Sequence, residues 1–131
     1  MKAAVLYAKN DLRVEEISFP KKENEENLVK VSYCGICGSD LNRVVRGGAY
    51  FYPLIPGHEF SGIVDEASNN SSFKKGDRVA VYPLKPCFSC LSCQNKQFPQ
   101  CENYDYYGSR CNGGFAEYVS VPDFNLIPVP D

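Results

Sequence analysis

The chain has 131 residues, 44% hydrophobic and 23% charged, with 14 basic and 16 acidic side chains, which is the make-up of one ordinary globular domain. A formal charge of −2 without a basic block argues against a nucleic-acid footprint, and the longest apolar run falls far short of the roughly 20 residues that cross a bilayer. Residues 1–7 lack the apolar core and cleavage site of a signal peptide, so a cytoplasmic chain with neither a nucleic-acid nor a membrane partner is expected.

In chain order, residues 2–7, 12–17 and 28–33 are expected as short strands, the last two joined by a charged, polar connection over 21–27. A glycine-rich turn follows at 34–38, and Ser39 with Asp40 is expected to cap one or two helical turns running through Val45. Gly47, Gly48, Pro53, Pro56 and Gly57 mark a loop. Strands are expected at 60–67 and 78–82, with turn chemistry at 69–72 and 75–77. Residues 83–110 have little periodicity, whereas 113–121 alternate and close the strand set. Nine prolines, ten glycines and closely spaced strands predict a mainly β fold: a small barrel with short helices and one loop lobe. No G-x-G-x-x-G follows a strand, so no dinucleotide-binding half is visible.

Seven cysteines need a reason. An odd count without an export signal is unlike a secreted disulfide framework, and clustered thiols in a reducing compartment are more often metal ligands. The N-x-S sequons at Asn69 and Asn70 are then not glycosylation sites. The strongest pattern is Cys87-x2-Cys90-x2-Cys93-x7-Cys101. Two-residue gaps let successive thiolates turn onto one ion while a short loop returns the fourth, so a structural zinc site is expected, in a lobe over about 84–110. The alternatives are free thiols or disulfides.

A second constellation joins Cys34-Gly-Ile-Cys37-Gly-Ser39-Asp40 to Gly57-His58-Glu59-Phe-Ser-Gly62. A lone histidine is often a satisfied core residue, and Cys34 with Cys37 could form a redox pair. Three features favour an open zinc site. Mixed Cys/His/carboxylate sets with a free position are typical of catalytic zinc. Asp40 can fix the tautomer of a ligating imidazole, and Ser39 offers a hydroxyl for proton transfer.

These blocks, with Lys75-Gly76-Asp77-Arg78-Val79, the four-cysteine lobe and Gly113-Gly114-Phe115-Ala116-Glu117-Tyr118, resemble the GroES-like catalytic domain of the zinc-containing medium-chain alcohol and polyol dehydrogenases. They follow the family's order over nearly the whole chain. Tyr52-Pro53, 83–90 and 104–118 are most similar to polyol-oxidising members. The resemblance implies a partly open GroES-like β-barrel over 1–131. Cys37 and His58 would bind catalytic zinc, with Glu59 a ligand or a neighbour of the metal. Ser39 would be the proton-relay hydroxyl and Asp40 the support of His58. Cys87, Cys90, Cys93 and Cys101 match the structural zinc ligands. Members continue into a Rossmann domain that binds the nicotinamide cofactor, which this chain lacks. It is therefore expected to be a fragment of a longer, homo-oligomeric enzyme that needs NAD or NADP and acts on a small polyol or sugar-alcohol phosphate.

Lesser features have blander readings. Cys34 is expected as a buried small hydrophobe and Cys111 as an exposed loop thiol. Arg43 and Arg46 could meet a substrate phosphate, although a solvated helix face is the commoner outcome. Tyr50, Phe51 and Tyr52 line a cleft or pack a loop, and Tyr104, Tyr106 and Tyr107 are expected to cover the structural zinc. The expected function is oxidation of a secondary alcohol to a ketone. A non-catalytic zinc-binding interaction module gives no reason for His58, Glu59 and Ser39, and a cochaperonin-like barrel gives none for the four cysteines. A thiol redox role has no thioredoxin-like βαβ pattern around it.

Overall fold

The computed structural model describes residues 1–22 and 25–130. The connection expected over 21–27 therefore lies partly outside the described residues, at Glu23 and Asn24, and from Glu26 the chain is already a strand. In chain order the strands are β1 (Lys2–Ala8), β2 (Asp11–Glu16), β3 (Glu26–Gly35), β4 (Glu59–Glu66), β5 (Arg78–Val81), β6 (Leu84–Lys85), β7 (Asp105–Tyr106), β8 (Tyr118–Pro122) and β9 (Leu126–Pro128). The helices are α1 (Gly38–Arg46) and the single turn α2 (Leu91–Gln94), with short 3-10 turns at Phe98–Gln100 and Asp123–Asn125.

Five antiparallel strands in the order β8-β3-β4-β5-β9 make the main sheet. Alternation decides which face is buried. Phe60, Gly62 and Val64 of β4 turn inward while Glu59 and Ile63 face out. Val29, Val79, Val81, Val119, Val121 and Leu126 complete this core. β3 is the longest strand and carries register shifts at 28/29 and 31/33. Such bulges bend and twist a strand, and here the bent β3 pairs with β8 over Glu26–Lys30 and with β4 from Leu28 to Gly35. The result is the mainly β, partly open half-barrel expected from the sequence. Gly62 sits at a close approach of β4 to β3, where a Cβ would come within 2.1 Å of the Lys30 carbonyl oxygen.

The hairpin of β1 and β2 packs beside the sheet through a second cluster of Ala3, Val5 and Ile55, with Phe115 and Ala116 against it. The strand expected at 113–121 is shorter than its alternation suggests. Residues 113–115 instead donate their N–H groups to the carbonyls of Ile55, Gly57 and Pro56 at 2.8–3.0 Å, so this segment braces the chain that leads to His58. Among the described residues, no helix is long and apolar enough to cross a membrane.

Candidate metal centres

The β3–β4 pairing ends with Gly35 opposite Glu59, so the chain leaves one strand and enters the other at the same point. Cys37 lies two residues past that pair and His58 one residue before it. Cys37 Sγ, a ring nitrogen of His58 and a carboxylate oxygen of Glu59 consequently lie within 4.8 Å of one another. Gly57 makes the approach possible. Its φ of 93° is left-handed, and a Cβ there would meet the Phe115 ring at 2.6 Å and Cys34 Sγ at 2.8 Å.

Asp40 organises the inner side of this cluster. Its carboxylate is buried and accepts the Cys37 N–H at 2.9 Å, which caps α1. Cys37, and not Ser39, is therefore the residue at the helix cap. Asp40 Oδ1 also lies 3.4 Å from His58 Nδ1 and accepts from Arg43 Nη1 at 3.3 Å. Nδ1 is buried and has no closer polar partner, while Nε2 faces Glu59 Oε1 at 4.0 Å. Arg43 Nη1 donates a further hydrogen bond to Ser39 Oγ at 3.0 Å. The solvated face expected for the two arginines is thus half wrong: Arg46 is exposed, but Arg43 is turned in and tied to Ser39 and Asp40. Glu59 keeps 55% of its side-chain exposure, so the cluster opens to solvent on that side. A soft thiolate, an imidazole and a carboxylate converging at an open mouth are a donor set suited to zinc.

The second cluster is a lobe closed at its neck by β6 and β7, where Leu84 pairs with Tyr106 and Lys85 with Asp105. Within it Cys87, Cys90, Cys93 and Cys101 bring their sulfurs within 4.8 Å of one another. Cys87 and Cys93 bring their sulfurs to 4.0 Å, as do Cys90 and Cys101. Tetrahedral Zn–S bonds of roughly 2.3 Å put sulfurs about 3.8 Å apart, so the four fit such an ion with little movement. The Ser89 hydroxyl at 3.4 Å leads the donors that draw the Cys87 thiol down to about 5, and the Cys90 N–H adds another at 3.4 Å. Burial pushes Cys93 up to about 12, and a divalent cation between the sulfurs would reverse that preference.

The expected tyrosine cover is not found. Phe88, Phe98 and Phe124 form the edge-to-face cluster beside the lobe, with ring centroids 4.9–5.8 Å apart. Tyr106 instead places its ring 5.8 Å from His58, and Tyr107 is buried in the main core with its hydroxyl donating to the Ser120 carbonyl at 2.9 Å. Tyr104 stacks on Arg110. Cys34 packs half-buried against the core, and burial raises its thiol to about 11. Cys111 does the same and is not an exposed loop thiol.

An antiparallel half-barrel with a Cys/His/Glu mouth and a four-thiol lobe defines a class. Residues 23–131 match the family described as the alcohol dehydrogenase GroES-like domain, and the chain belongs to it. It is similar to galactitol 1-phosphate 5-dehydrogenase of Escherichia coli K12, 42% identical over an alignment of 132 residues that covers 99% of this chain and 38% of that protein. The crystal structure of the Escherichia coli galactitol-1-phosphate dehydrogenase superposes with a TM-score of 0.94 at 42% identity, over 99% of this chain and 38% of that one. An alcohol dehydrogenase (RspB) of Escherichia coli CFT073 complexed with NADH gives 0.91 at 35% identity, over 100% and 39%. A cobalt- and zinc-bound thermostable alcohol dehydrogenase from Pyrobaculum aerophilum gives 0.89 at 32% identity, over 100% and 42%. The chain therefore spans about two-fifths of the length of these relatives.

Proposed function

We propose that this chain is the catalytic domain of a zinc-dependent, NAD(P)-linked dehydrogenase that oxidises a secondary alcohol of a polyol or polyol phosphate to a ketone. The observation that carries this reading is the convergence of Cys37, His58 and Glu59 at an open mouth, beside a serine hydroxyl held by an arginine. Cys37, His58 and Glu59 would hold a zinc ion, which supplies a Lewis acid that makes the substrate hydroxyl easier to deprotonate. Cys87, Cys90, Cys93 and Cys101 would hold a second zinc ion that contributes folding energy. The nicotinamide, bound by another part of the protein, supplies the hydride acceptor.

The chain's own residues bind, orient and move the proton. Asp40 faces His58 Nδ1 and so favours the tautomer that leaves the Nε2 lone pair toward Cys37 and Glu59. Ser39 Oγ already accepts from Arg43 with one lone pair. Its other lone pair can take the substrate hydroxyl proton while its own hydrogen leaves to solvent. Tyr106 walls the mouth beside His58. Ile36, next to Cys37, and Leu41 and Val45 on α1 are exposed, and Ile36 retains 73% of its surface, which suits an apolar face covered by a cofactor-binding region. Seven unpaired cysteines suit a reducing cytoplasm, and a homo-oligomer is the expected state of the whole enzyme.

The test is reduction of NAD or NADP by the zinc-loaded protein, with the region that follows this chain in its gene, on a panel of polyols and polyol phosphates. Oxidation is expected for at least one, and His58→Ala should lower it by about a thousandfold or more. No oxidation by a protein carrying zinc at both clusters would overturn the reading.

A further inference from the structure

The guanidinium of Arg110 lies between two aromatic faces. Its central carbon is 4.7 Å from the ring centroid of Tyr50 and 4.4 Å from that of Tyr104. Stacking on both faces, with hydrogen bonding to the same two tyrosines, fixes the plane of the exposed group, and the remaining N–H donors of the fork suit capture of a planar or tetrahedral oxyanion. Among the described residues no carboxylate reaches ion-pair distance of Arg110. Arg13 is engaged by Asp11, Arg43 by Asp40 and Lys85 by Glu26. Arg46 also lacks a carboxylate among the described residues, but no ring holds it.

The location ties this cation to the mouth. Tyr50 lies in the loop that leads into His58. Arg110 closes a tight turn with Tyr106, donating its N–H to the Tyr106 carbonyl at 2.9 Å, and the Tyr106 ring stands against His58. Gly108, in the same turn, packs on the backbone of Gly57 so closely that a Cβ would fall 2.5 Å from the Gly57 oxygen. The two segments that carry the aromatic faces are therefore those that frame the Cys37–His58–Glu59 cluster. Of the two arginines that the sequence offered for a phosphate, Arg43 is committed to Ser39 and Asp40 and largely turned in.

We propose that Arg110, clamped between Tyr50 and Tyr104, receives the phosphate monoester of the substrate and sets this mouth's preference for polyol phosphates over free polyols. The inference rests on the dehydrogenase reading above and adds the substrate class. A dianionic phosphate at the mouth replaces water on an exposed guanidinium whose orientation is already fixed, so little ordering entropy opposes binding.

The test compares kcat/KM for galactitol 1-phosphate and galactitol in the zinc-loaded whole enzyme. Arg110→Gln should lower the ratio of the two about tenfold to a hundredfold, and Arg110→Lys should restore only part of it, because a point charge lacks the fork. Tyr50→Leu should lower the ratio less than Arg110→Gln, and Arg46→Gln should leave it unchanged. Inorganic phosphate should compete with galactitol 1-phosphate in the wild type and lose that effect in Arg110→Gln. An unchanged ratio in Arg110→Gln, or an equal fall in Arg46→Gln, overturns the assignment. Failure to oxidise either compound would strike at the dehydrogenase reading instead. Calorimetric titration with galactitol 1-phosphate would then still decide the site: binding lost in Arg110→Gln upholds it, and equal binding overturns it.

Discussion

Asp40 is one carboxylate facing three groups: the Cys37 amide, the Arg43 guanidinium and the His58 imidazole. Its side chain is 2% exposed and that of Arg43 only 12%, so removing the carboxylate leaves a cation stranded away from water. Asp40→Ala should cost about 3 kcal/mol or more in urea unfolding. Asp40→Asn keeps an acceptor for the helix cap and should cost less, yet it should weaken zinc binding at His58 by about tenfold to a hundredfold, read by metal competition. Equal destabilisation by the two variants would mean that the charge, and not the cap, is what matters. Cys37, His58, Glu59 and Asp40 were legible in the sequence because unusual residue types stood at telling intervals. Arg43 was not, since a basic residue four positions after a serine is also what a solvated helix face presents. The Arg110 clamp was invisible for another reason: Tyr50 lies sixty residues away, and only the fold brings it over the guanidinium.

At the scale of elements, the four-cysteine lobe has almost nothing but its sulfurs to hold it. α2 is a single turn, β6 and β7 are two residues each, and the apolar contribution is three phenylalanines at one side. Cys93→Ser or chelation should therefore lower Tm by about 10 °C or more, and hydrogen exchange should quicken over 87–101 before it does in β3 and β4. An unchanged Tm would count against a structural metal. A different device ties the 3-10 turn at Asp123 to the loop at 68–73. Asp123 accepts from Asn27, the Ser71 and Ser72 hydroxyls and the Ser72 amide at 2.6–2.8 Å. Burial alone would raise its carboxyl, but these donors outweigh it and hold the group down to about 2. A depressed folded-state value means stability present above the unfolded value of 3.8 and lost as pH falls from there toward about 2. Asp123→Asn should cost about 1 kcal/mol at neutral pH, discounted for partial exposure, with the gap to wild type closing across that window. Strand-like runs marked β1 to β5 in the sequence; β1, β3, β4 and β5 bury residues in the cores, whereas β2 leaves Leu12 and Val14 exposed and is held by its pairing with β1. β6, β7 and β9 escaped this reading, since two or three residues carry no period, and 113–117 misled it, since the amides of 113–115 serve the His58 loop and that of Glu117 donates to the Lys2 carbonyl.

The two clusters differ in how much of a metal's coordination shell the chain supplies, and that difference decides what the molecule should carry. The lobe offers four sulfurs, two of them buried, with amide and hydroxyl donors already directed at the thiolates. The mouth offers three donors, one of them the largely exposed Glu59, and a tetrahedral ion there keeps a position open to solvent. Closing all four positions with thiolates gives slow release, whereas an open three-donor site exchanges its metal with the buffer. Elemental analysis of this chain, purified without added metal and dialysed, should therefore find about one zinc ion per chain, rising toward about two when zinc is supplied. Cys93→Ser should remove the ion that survives dialysis, and His58→Ala should remove the one that returns. If His58→Ala instead abolished the retained ion, the assignment of strong and weak sites would be reversed. Retention of no zinc by a folded chain would leave the four sulfurs without the ion that their spacing fits, and the barrel would then have to be stable on its Val29–Val64–Val121 core alone.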